Sequence, residues 1–409
     1  MLESGSDSML NPGPSNSFDV VIVGSGPAGS SAALALAREG VRVGILEKES
    51  VPRYKTCGGG IVGRARRLLP FSIQEVVEQQ CHTAELNLPQ DGFHFTTVRS
   101  QPIVSMTMRE DFDSFLLKSA QSAGASLRTQ CRVLEVQQET DRLLLSTSSG
   151  PVSAEFVLAA DGARSRVAVS SGWSNKPNLI PALEYEVGVS ERVLERFRGR
   201  ARFDFNLVPF GYAWIFPKRN HLSVGVLTTR PGGANLNRCL GKYLKLVDLA
   251  PIEKFERHGF VIPICPRKGP LARERVLLTG DAAGLADPVT GEGITYAIRS
   301  GQLAAKALLD AELRREEVER LYEASVANEI LSELRLGRVL GRLIYGHPAV
   351  CRRLFRWQGQ RLCEAMTDVL MGDTDYGELL STPTHYLKLL DRRRKRNPRT
   401  EGAIQTRST

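Results

Sequence analysis

Three glycines at fixed spacing follow a strongly apolar stretch near the start of the chain: Gly24, Gly26 and Gly29. In such a loop the first glycine permits a tight turn, the second lets the backbone approach a pyrophosphate, and the third lets a helix pack close to a strand. Pro27 and Ala28 would open that helix, whose free N–H groups attract phosphate. Glu47 lies where an acid binds the adenosine ribose, which argues against a ribose 2′-phosphate. The set predicts a dinucleotide site without distinguishing FAD from NAD.

Two further segments carry acids and glycine-rich turns that favour FAD. Residues 277–294 read LLTGDAAGLADPVTGEGI, and Asp281 in this segment can accept hydrogen bonds from ribityl hydroxyls. Backbone N–H groups around Gly293 and Ile294, at a predicted helix start, can stabilise negative charge on a reduced flavin ring. Residues 159–166 read AADGARSR and place Asp161 at the end of a predicted strand.

In this order along the chain, the three elements resemble those of the FAD-dependent hydroxylase and geranylgeranyl reductase superfamily, over about residues 18–345. The resemblance implies that Arg109, opening a helix, contacts FAD and that the backbone at Leu134 meets the adenine. The cofactor-binding residues predicted from the motifs and the resemblance are Gly24, Gly26, Pro27, Ala28, Gly29, Glu47, Lys48, Cys57, Gly58, Gly59, Arg109, Leu134, Asp161, Asp281, Pro288, Gly291, Gly293 and Ile294.

Two local features favour the reductase branch of that superfamily. The run Cys57-Gly58-Gly59-Gly60 is similar to the family's loop beside the flavin, and consecutive glycines let backbone lie flat against a planar ring. Cys57 is then the predicted catalytic residue, as a proton source or an orienting group for the alkene; the alternative is a small residue that fills space.

The second feature is the segment YAWIFP at 212–217, whose Tyr212, Trp214 and Phe216 point to one face of a predicted strand. It is similar to a motif of prenyl reductases and is predicted to bind the substrate's apolar chain. An aromatic stripe can instead be ordinary core. The ending Phe-Pro departs from the Ile-Pro of the related motif in flavin halogenases.

The implied reaction reduces an isolated C=C bond of a geranylgeranyl or other prenyl lipid. Reduced flavin supplies hydride to one carbon and a proton reaches the other, with NADPH or a reduced ferredoxin-type partner as the electron source. An unconjugated alkene accepts hydride poorly, so protonation must help early. Two alternatives stay open: a single-component flavin monooxygenase or halogenase acting on an aromatic or isoprenoid substrate, and a non-catalytic membrane-associated electron-transfer flavoprotein.

Hydropathy indicates the elements that must position these residues. The predicted elements are strands at 18–23, 41–46, 131–137, 142–147, 154–159 and 275–278, helices at 27–39 and 109–123, and helices from 293 to about 371. Period-2 alternation between 183 and 263 predicts an antiparallel sheet. The expected fold is mixed α/β: a Rossmann-type FAD-binding domain with an inserted antiparallel β-sheet substrate domain and a C-terminal helical region.

The predicted division of the chain has five parts. These are a flexible extension at 1–17, an FAD-binding domain at 18–75, 100–175 and 270–345, a substrate-binding β-sheet domain at 76–99 and 176–269, a helical region at 346–390 and a basic tail at 391–409. The tail contains seven basic and two acidic side chains and carries +5 of the net charge of +9. It predicts attraction to an anionic membrane surface, with a solvated end as the alternative.

Composition limits the remaining possibilities for this 409-residue chain. Seven scattered Cys without a CxxC pair predict neither disulfides nor a metal site and suit a reducing cytoplasm. No apolar run is long enough to span a membrane, so peripheral contact with the inner membrane face is expected at most. The basic tail lacks interleaved aromatics, which argues against nucleic acid. The sequence does not set an oligomeric state, and a monomer is compatible with it.

Overall fold

The computed structural model describes residues 16–174, 177–230 and 232–381. The predicted basic tail at 391–409 lies outside the described residues, as does nearly all of the predicted N-terminal extension. None of the helices in the described ranges combines the length and apolar character that a membrane span requires.

Eighteen strands and twelve α-helices are formed by the described residues. In chain order the strands are β1 Ser17–Val23, β2 Val43–Leu46, β3 Gly60–Val62, β4 Gln79–Cys81, β5 Thr83–Leu88, β6 Phe93–Val98, β7 Val104–Met106, β8 Ser126–Arg128, β9 Val133–Gln138, β10 Leu143–Thr147, β11 Val152–Ala159, β12 Leu179–Val189, β13 Arg200–Phe205, β14 Gly211–Pro217, β15 Leu222–Thr228, β16 Ile252–Pro263, β17 Ala272–Arg273 and β18 Val276–Leu278. The helices are α1 Pro27–Arg38, α2 Gly63–Arg67, α3 Arg109–Ser122, α4 Arg166–Ser170, α5 Glu191–Glu195, α6 Leu236–Leu246, α7 Gly280–Ala283, α8 Ile294–Asp310, α9 Arg315–Val326, α10 Ser332–Gly346, α11 Pro348–Met371 and α12 Tyr376–Ser381. A short π-helical turn, Ala327–Leu331, joins α9 to α10.

The parallel strands of an eight-stranded sheet bring the predicted nucleotide motifs to one edge. Six of its strands lie in the order β17-β18-β11-β1-β2-β8, and β10 pairs with β11 and with β9 off this path. The strand β1 pairs in parallel with β11 and β2. The strand β18 pairs in parallel with β11. The glycine loop follows β1, Glu47 follows β2, Asp161 follows β11 and Asp281 follows β18. Ligands bind at this carboxyl edge in open parallel sheets.

Small residues let α1 pack tightly against α8 on one face of this sheet. A Cβ atom at Gly301 would lie 2.2 Å from the Ala28 carbonyl oxygen, so only glycine permits this approach. The helix α1 begins at Pro27, as predicted, because proline suits a first helical position whose N–H has no partner within the helix.

A seven-stranded sheet, in the order β16-β12-β15-β14-β13-β5-β6, forms the second layer. It was predicted to be antiparallel, but β5 and β13 pair in parallel. The reason is that β5 enters the sheet from an earlier part of the chain, without a hairpin to β13. Alternation along the strands gives the sheet two different faces. Ala213, Ile215 and Val224 join a core cluster that includes Leu240 and Tyr243 of α6, whereas Trp214 on the opposite face joins another cluster.

The C-terminal helices cover the remaining side. Residues after 293 are mostly helical, as predicted, and α11 packs against β6 and β5 with an internal irregularity at Gln358. A three-stranded sheet, β3-β7-β4, was missed by the hydropathy reading because its strands have three residues each and show no periodicity. We propose the domain division predicted above as the working description of these layers.

Candidate functional site

A cavity of about 700 Å³ lies between the carboxyl edge of the first sheet and the aromatic face of the second. Most of the predicted site residues line it. These are Gly24, Gly26, Pro27, Ala28, Glu47, Lys48, Cys57, Gly58, Gly59, Arg109, Asp161, Tyr212, Trp214, Phe216, Asp281, Gly291, Gly293 and Ile294. Residues predicted from seven separate stretches of sequence therefore share one space.

The three glycines after β1 differ in what surrounds them. Gly24 has φ of +104°, and a Cβ atom there would lie 2.5 Å from the Ala160 carbonyl oxygen. A Cβ atom at Gly29 would lie 2.0 Å from the Gly24 carbonyl oxygen, so Gly29 serves helix packing and does not line the cavity. At Gly26 the nearest atom is Arg53 Nη2, 3.7 Å away. The space beside Gly26 is open on the cavity side, where a pyrophosphate fits.

Glu47 is a buried, ionised acceptor at the end of β2. Its carboxylate accepts hydrogen bonds from Ser25 N at 3.0 Å, Ser25 Oγ at 2.7 Å and Glu49 N at 3.1 Å. Burial raises the pKa of this carboxyl, but the Arg53 charge and the Ser25 bonds outweigh burial and hold the pKa below its ordinary value. A fixed carboxylate of this kind suits ribose hydroxyls.

Asp161 presents an oxygen that has no protein partner within the described part of the chain. Its Oδ2 accepts from the backbone N–H groups of Arg166 at 2.7 Å and Val167 at 3.1 Å, whereas its buried Oδ1 accepts from none. Burial raises the pKa of Asp161 despite those bonds. A buried polar atom without a partner is costly, and a hydrogen-bond donor from a ligand in the cavity would satisfy it.

The helix α8 begins at the cavity, and the Glu292 carboxylate accepts a hydrogen bond from the Thr295 backbone N–H in its first turn at 2.7 Å. The N-cap residue of α8 is Gly293, which has no side chain to accept a hydrogen bond. Nearby in the cavity, Asp281 Oδ2 lies 3.5 Å from Lys55 Nζ.

Pro288 was predicted to contact the cofactor but does not line the cavity. Its carbonyl oxygen would be 2.8 Å from a Cβ atom at Gly341 of α10. The turn that contains Pro288 directs this residue away from the cavity and packs it against α10.

A buried ion network fixes that turn. Arg64 of α2 donates to Glu333 at 2.9 Å and to Glu292 at 3.2 Å, and its Nη2 lies 3.6 Å from Asp287 Oδ2. Tyr376 of α12 donates to Asp287 at 2.9 Å. The four cavity residues from Thr290 to Gly293 are therefore held in place by side chains from α2, α10 and α12.

Arg109 lines the cavity at the start of α3 with its guanidinium bound by a carboxylate. Both nitrogens, Nε and Nη2, donate to Asp113 at 2.9 Å. Burial lowers the pKa of Arg109, but the Asp113 charge outweighs burial and the pKa is raised.

Leu134 is 44% exposed on β9, and its side chain does not line the cavity. The cavity wall here is formed by Cys131, Arg132 and Val133, because the strand turns Leu134 outward.

Lys218 holds the cysteine–glycine loop and was missed by sequence reasoning. This buried lysine donates from Nζ to the carbonyl oxygens of Gly58 and Thr107, each at 2.8 Å. A Cβ atom at Gly58 would lie 2.8 Å from the Phe216 ring, so the loop lies against the aromatic face. The sequence shows only a lysine after a proline, and nothing in that pattern identifies a partner 160 residues away.

Tyr212, Trp214 and Phe216 line the cavity as a row of contacting rings. Ring centroids are 6.0 Å apart for Tyr212 and Trp214 and 6.1 Å apart for Trp214 and Phe216. Trp214 lies over Gly225 of β15, where a Cβ atom would be 2.0 Å from the indole. The row is also part of a core cluster. The aromatic row was predicted either to line the substrate cavity or to be part of the hydrophobic core. The structure shows both, because the rings line the cavity and also pack within the core cluster.

These residues fit FAD: an open phosphate loop, an ionised acid after β2, an unsatisfied Asp161 oxygen and the start of α8 surround one cavity. Residues 17–205 match the model of an FAD binding domain. The chain is 32% identical over 321 residues to digeranylgeranylglycerophospholipid reductase 1 of Methanopyrus kandleri, covering 72% of this chain and 81% of the relative.

Two solved structures show the same fold. A geranylgeranyl bacteriochlorophyll reductase-like protein from Thermoplasma acidophilum has a TM-score of 0.72 at 23% identity, covering 81% of this chain and 88% of that one. A flavin-dependent brominase has a TM-score of 0.69 at 18% identity, covering 87% of this chain and 94% of that one. Taken with the sequence relationship and the glycine, Asp161 and Asp281 motifs around one cavity, these likenesses show that the chain belongs to the geranylgeranyl reductase family of FAD-dependent oxidoreductases.

Proposed function

We propose that this oxidoreductase saturates isolated C=C bonds in a geranylgeranyl or other prenyl chain. The observation that carries the proposal is the shared cavity: the Tyr212, Trp214 and Phe216 row and the Cys57–Gly59 loop line the same space as the FAD motifs. An apolar chain lying along the row would reach the flavin. The relatedness to a digeranylgeranylglycerophospholipid reductase supports the same substrate class.

Bound FAD would supply hydride chemistry, and the chain's own residues would bind, orient and dehydrate the alkene. The aromatic row offers an apolar wall that excludes water. Lys218 fixes the loop through Gly58 O and Thr107 O, which keeps Cys57 at a constant position. We propose that Cys57 orients the alkene. The electron source is proposed to be NADPH or a reduced ferredoxin-type partner.

The function is tested with FAD-loaded protein reduced by dithionite and mixed, without oxygen, with geranylgeranyl diphosphate or a geranylgeranylated glycerolipid. We expect flavin reoxidation and a product heavier by two hydrogens for each bond reduced. A brominase-like fold makes a halogenase the second candidate. That activity, like monooxygenation, would require oxygen, and an electron-transfer flavoprotein would reoxidise with a quinone while leaving the prenyl chain unchanged.

Replacement of Trp214 by alanine should weaken reduction of long prenyl chains more than short ones. A buried aromatic side chain contributes roughly 1–3 kcal/mol of apolar contact, and only a long substrate reaches the whole row. The measurement is kcat/KM for geranyl and geranylgeranyl substrates. Ile215→Val, on the opposite face of β14, is the control and should leave their ratio unchanged. Equal losses for both chain lengths in Trp214→Ala would assign the row to structure alone.

We also propose peripheral contact with an anionic membrane face. Exposed apolar side chains cluster on α10 and α11: Val339, Leu343, Val350 and Trp357. Trp357 is 62% exposed, and the Arg353 guanidinium lies 4.3 Å from its ring centroid. Phe355, on the same helix, is 2% exposed and belongs to the core. Basic and aromatic side chains on one helical face favour an anionic interface.

Co-sedimentation with phosphatidylglycerol vesicles should fall for Trp357→Ala and for a chain ending at Leu390, because each removes one source of attraction. High salt should release the full chain, since screening weakens the charged contribution. Phe255→Ala removes an aromatic ring that is 60% exposed on β16 and should not alter sedimentation. Full sedimentation of both altered forms at low salt would exclude this surface.

A further inference from the structure

A buried carboxyl that sequence reasoning missed lies in the cavity wall. Glu184 of β12 is 1% exposed and lines the cavity together with Cys57 and Trp214. Its Oε1 accepts a short hydrogen bond from Ser223 Oγ. Its buried Oε2 has no well-aligned hydrogen bond within the described ranges, although the Cys57 backbone N–H faces the carboxyl and lowers its pKa. A buried polar atom without a well-aligned partner carries a free-energy cost, so its presence at a cavity calls for a function.

Glu184 is connected to the aromatic row through Ser223. The Trp214 indole Nε1 donates to Ser223 Oγ at 3.3 Å, and Ser223 in turn donates to Glu184. These bonds fix the carboxyl relative to the proposed substrate wall. Substitution of glutamine for Glu184 would retain an acceptor for Ser223 while removing the ionisable proton.

Two further titratable side chains lie between Glu184 and the solvent, and the first is on the same strand. Glu186 is two residues further along β12, on the same face as Glu184. Its Oε2 lies 3.1 Å from His221 Nε2, and the His221 side chain is 19% exposed. His221 Nδ1 lies 2.8 Å from the Asn220 amide oxygen, an atom that can only accept, so Nδ1 carries a hydrogen and Nε2 faces Glu186.

The groups around Glu184 place its ionisation near neutral pH. The charged and titratable groups that face it are Glu186 on its own strand, Lys218 after β14, Glu256 and His258 on β16, and Tyr54 and Cys57 in the loop. The facing residues of β15, Ser223 and Gly225, do not titrate. Burial and then the Glu186 charge raise the pKa of Glu184 to about 7, against smaller opposing effects of Ser223 and Lys218.

We propose that Glu184 is the proton donor for alkene reduction and that Glu186 and His221 return a proton to it from solvent. The proposal rests on the proposed prenyl reductase function. In the step, the alkene π bond breaks and two C–H bonds form. One carbon receives hydride, whose electron pair comes from reduced FAD, and the other receives the Glu184 proton. FAD ends oxidised and Glu184 ends as a carboxylate. A carboxyl in a dry cavity is suited to general acid catalysis near neutral pH.

The first test follows one turnover of dithionite-reduced, FAD-loaded protein with a geranylgeranyl substrate, without oxygen, across pH 5–9. The wild-type rate should fall as pH rises through about 7, because Glu184 loses its proton. Glu184→Gln should lower the rate by about 100-fold or more, the usual size of a general acid contribution, and should abolish the pH dependence. Cys57→Ser should retain that dependence if Cys57 only orients the alkene.

Glu186→Gln tests the supporting position. Removing the neighbouring negative charge should lower the pKa of Glu184, so the midpoint of the single-turnover profile should move to lower pH. Steady-state turnover with excess dithionite should slow more than the first turnover, since only later turnovers require the proton to be replaced. A residue that merely supports the fold would not move the midpoint.

A readout independent of activity is unfolding of the FAD-loaded protein as a function of pH. Glu184 has a folded-state pKa raised above its ordinary value of 4.5, so its contribution to stability is present below pH 4.5 and is lost as pH rises to about 7. Glu184→Gln lacks this loss and should be more stable than wild type above pH 7. Equal stability changes with pH in the two proteins would show that Glu184 ionises normally.

The outcomes separate the two proposals. If wild type reduces the prenyl substrate and Glu184→Gln keeps its rate and pH profile, the proton-donor role is wrong and the reductase function stands. If wild type reduces no prenyl substrate, the reductase function is overturned and the proton-donor role with it. Loss of the pH profile in Cys57→Ser alone would assign the proton to Cys57 instead.

Discussion

Gly26→Val is expected to abolish FAD binding in a protein that still folds. Gly26 has φ of −75° and ψ of −176°, an extended conformation that valine adopts without strain. The nearest atom to a Cβ at this position is 3.7 Å away, so the protein itself has room for the side chain. The valine would occupy the space of the pyrophosphate. We expect FAD affinity to fall by at least about 100-fold, or about 3 kcal/mol.

Titration of flavin fluorescence, with circular dichroism to follow folding, measures the two effects separately. Gly29→Val is the matched comparison, because its Cβ would lie 2.0 Å from the Gly24 carbonyl oxygen inside the protein. That variant should lose both FAD and fold stability. Normal FAD affinity in folded Gly26→Val would contradict the assignment of the phosphate loop.

Arg64→Met is expected to be the most destabilising single change outside the hydrophobic core. The Arg64 side chain is 10% exposed and forms ion pairs with Glu292, Glu333 and Asp287. Removing one partner of a buried ion network leaves uncompensated charge and costs about 3–5 kcal/mol. Burial already raises the pKa of Glu333, against the opposing charge of Arg64. Loss of Arg64 would raise it further, so the deficit in stability should be smaller at pH 5 than at pH 8.

Urea unfolding of the FAD-loaded protein at both pH values gives the measurement. Arg320→Met provides the control, since Arg320 pairs with Glu317 on the outside of α9 with its side chain 63% exposed. Exposed pairs of this kind contribute little, so this variant should unfold like wild type. A similar result for Arg64→Met would mean that the network is not stabilising.

The nucleotide-binding part of the fold was predictable because its signals are local. A buried strand, a glycine loop and a helix that begins at Pro27 lie within about twenty residues. The motif requires these three elements in this order. The alternation in residues 212–217 likewise indicated which side chains share a face. Most of the site residues predicted from these short-range patterns line one cavity in the structure.

Residues that act across long separations could not be predicted in this way. Lys218 binds Thr107 from 111 positions away, and Arg64 binds Glu333 from 269 positions away. Glu184 gave no signal, because an acid in an alternating strand is expected to face solvent, and the sequence does not show that the loop with Tyr54 and Cys57 lies beside it. The contact of the Leu134 backbone with the adenine stays a prediction: its side chain points outward, and Cys131, Arg132 and Val133 form the cavity wall beside it.

The Arg64 network also has a consequence for biosynthesis. The flavin-facing turn at 290–293 is fixed by Glu333 of α10 and, through Asp287, by Tyr376 of α12. The glycine loop leaves the ribosome some 350 residues before Tyr376 does. A nascent chain therefore carries the glycine loop long before the turn at 290–293 can be fixed. We expect chains that end before Tyr376 to retain FAD poorly.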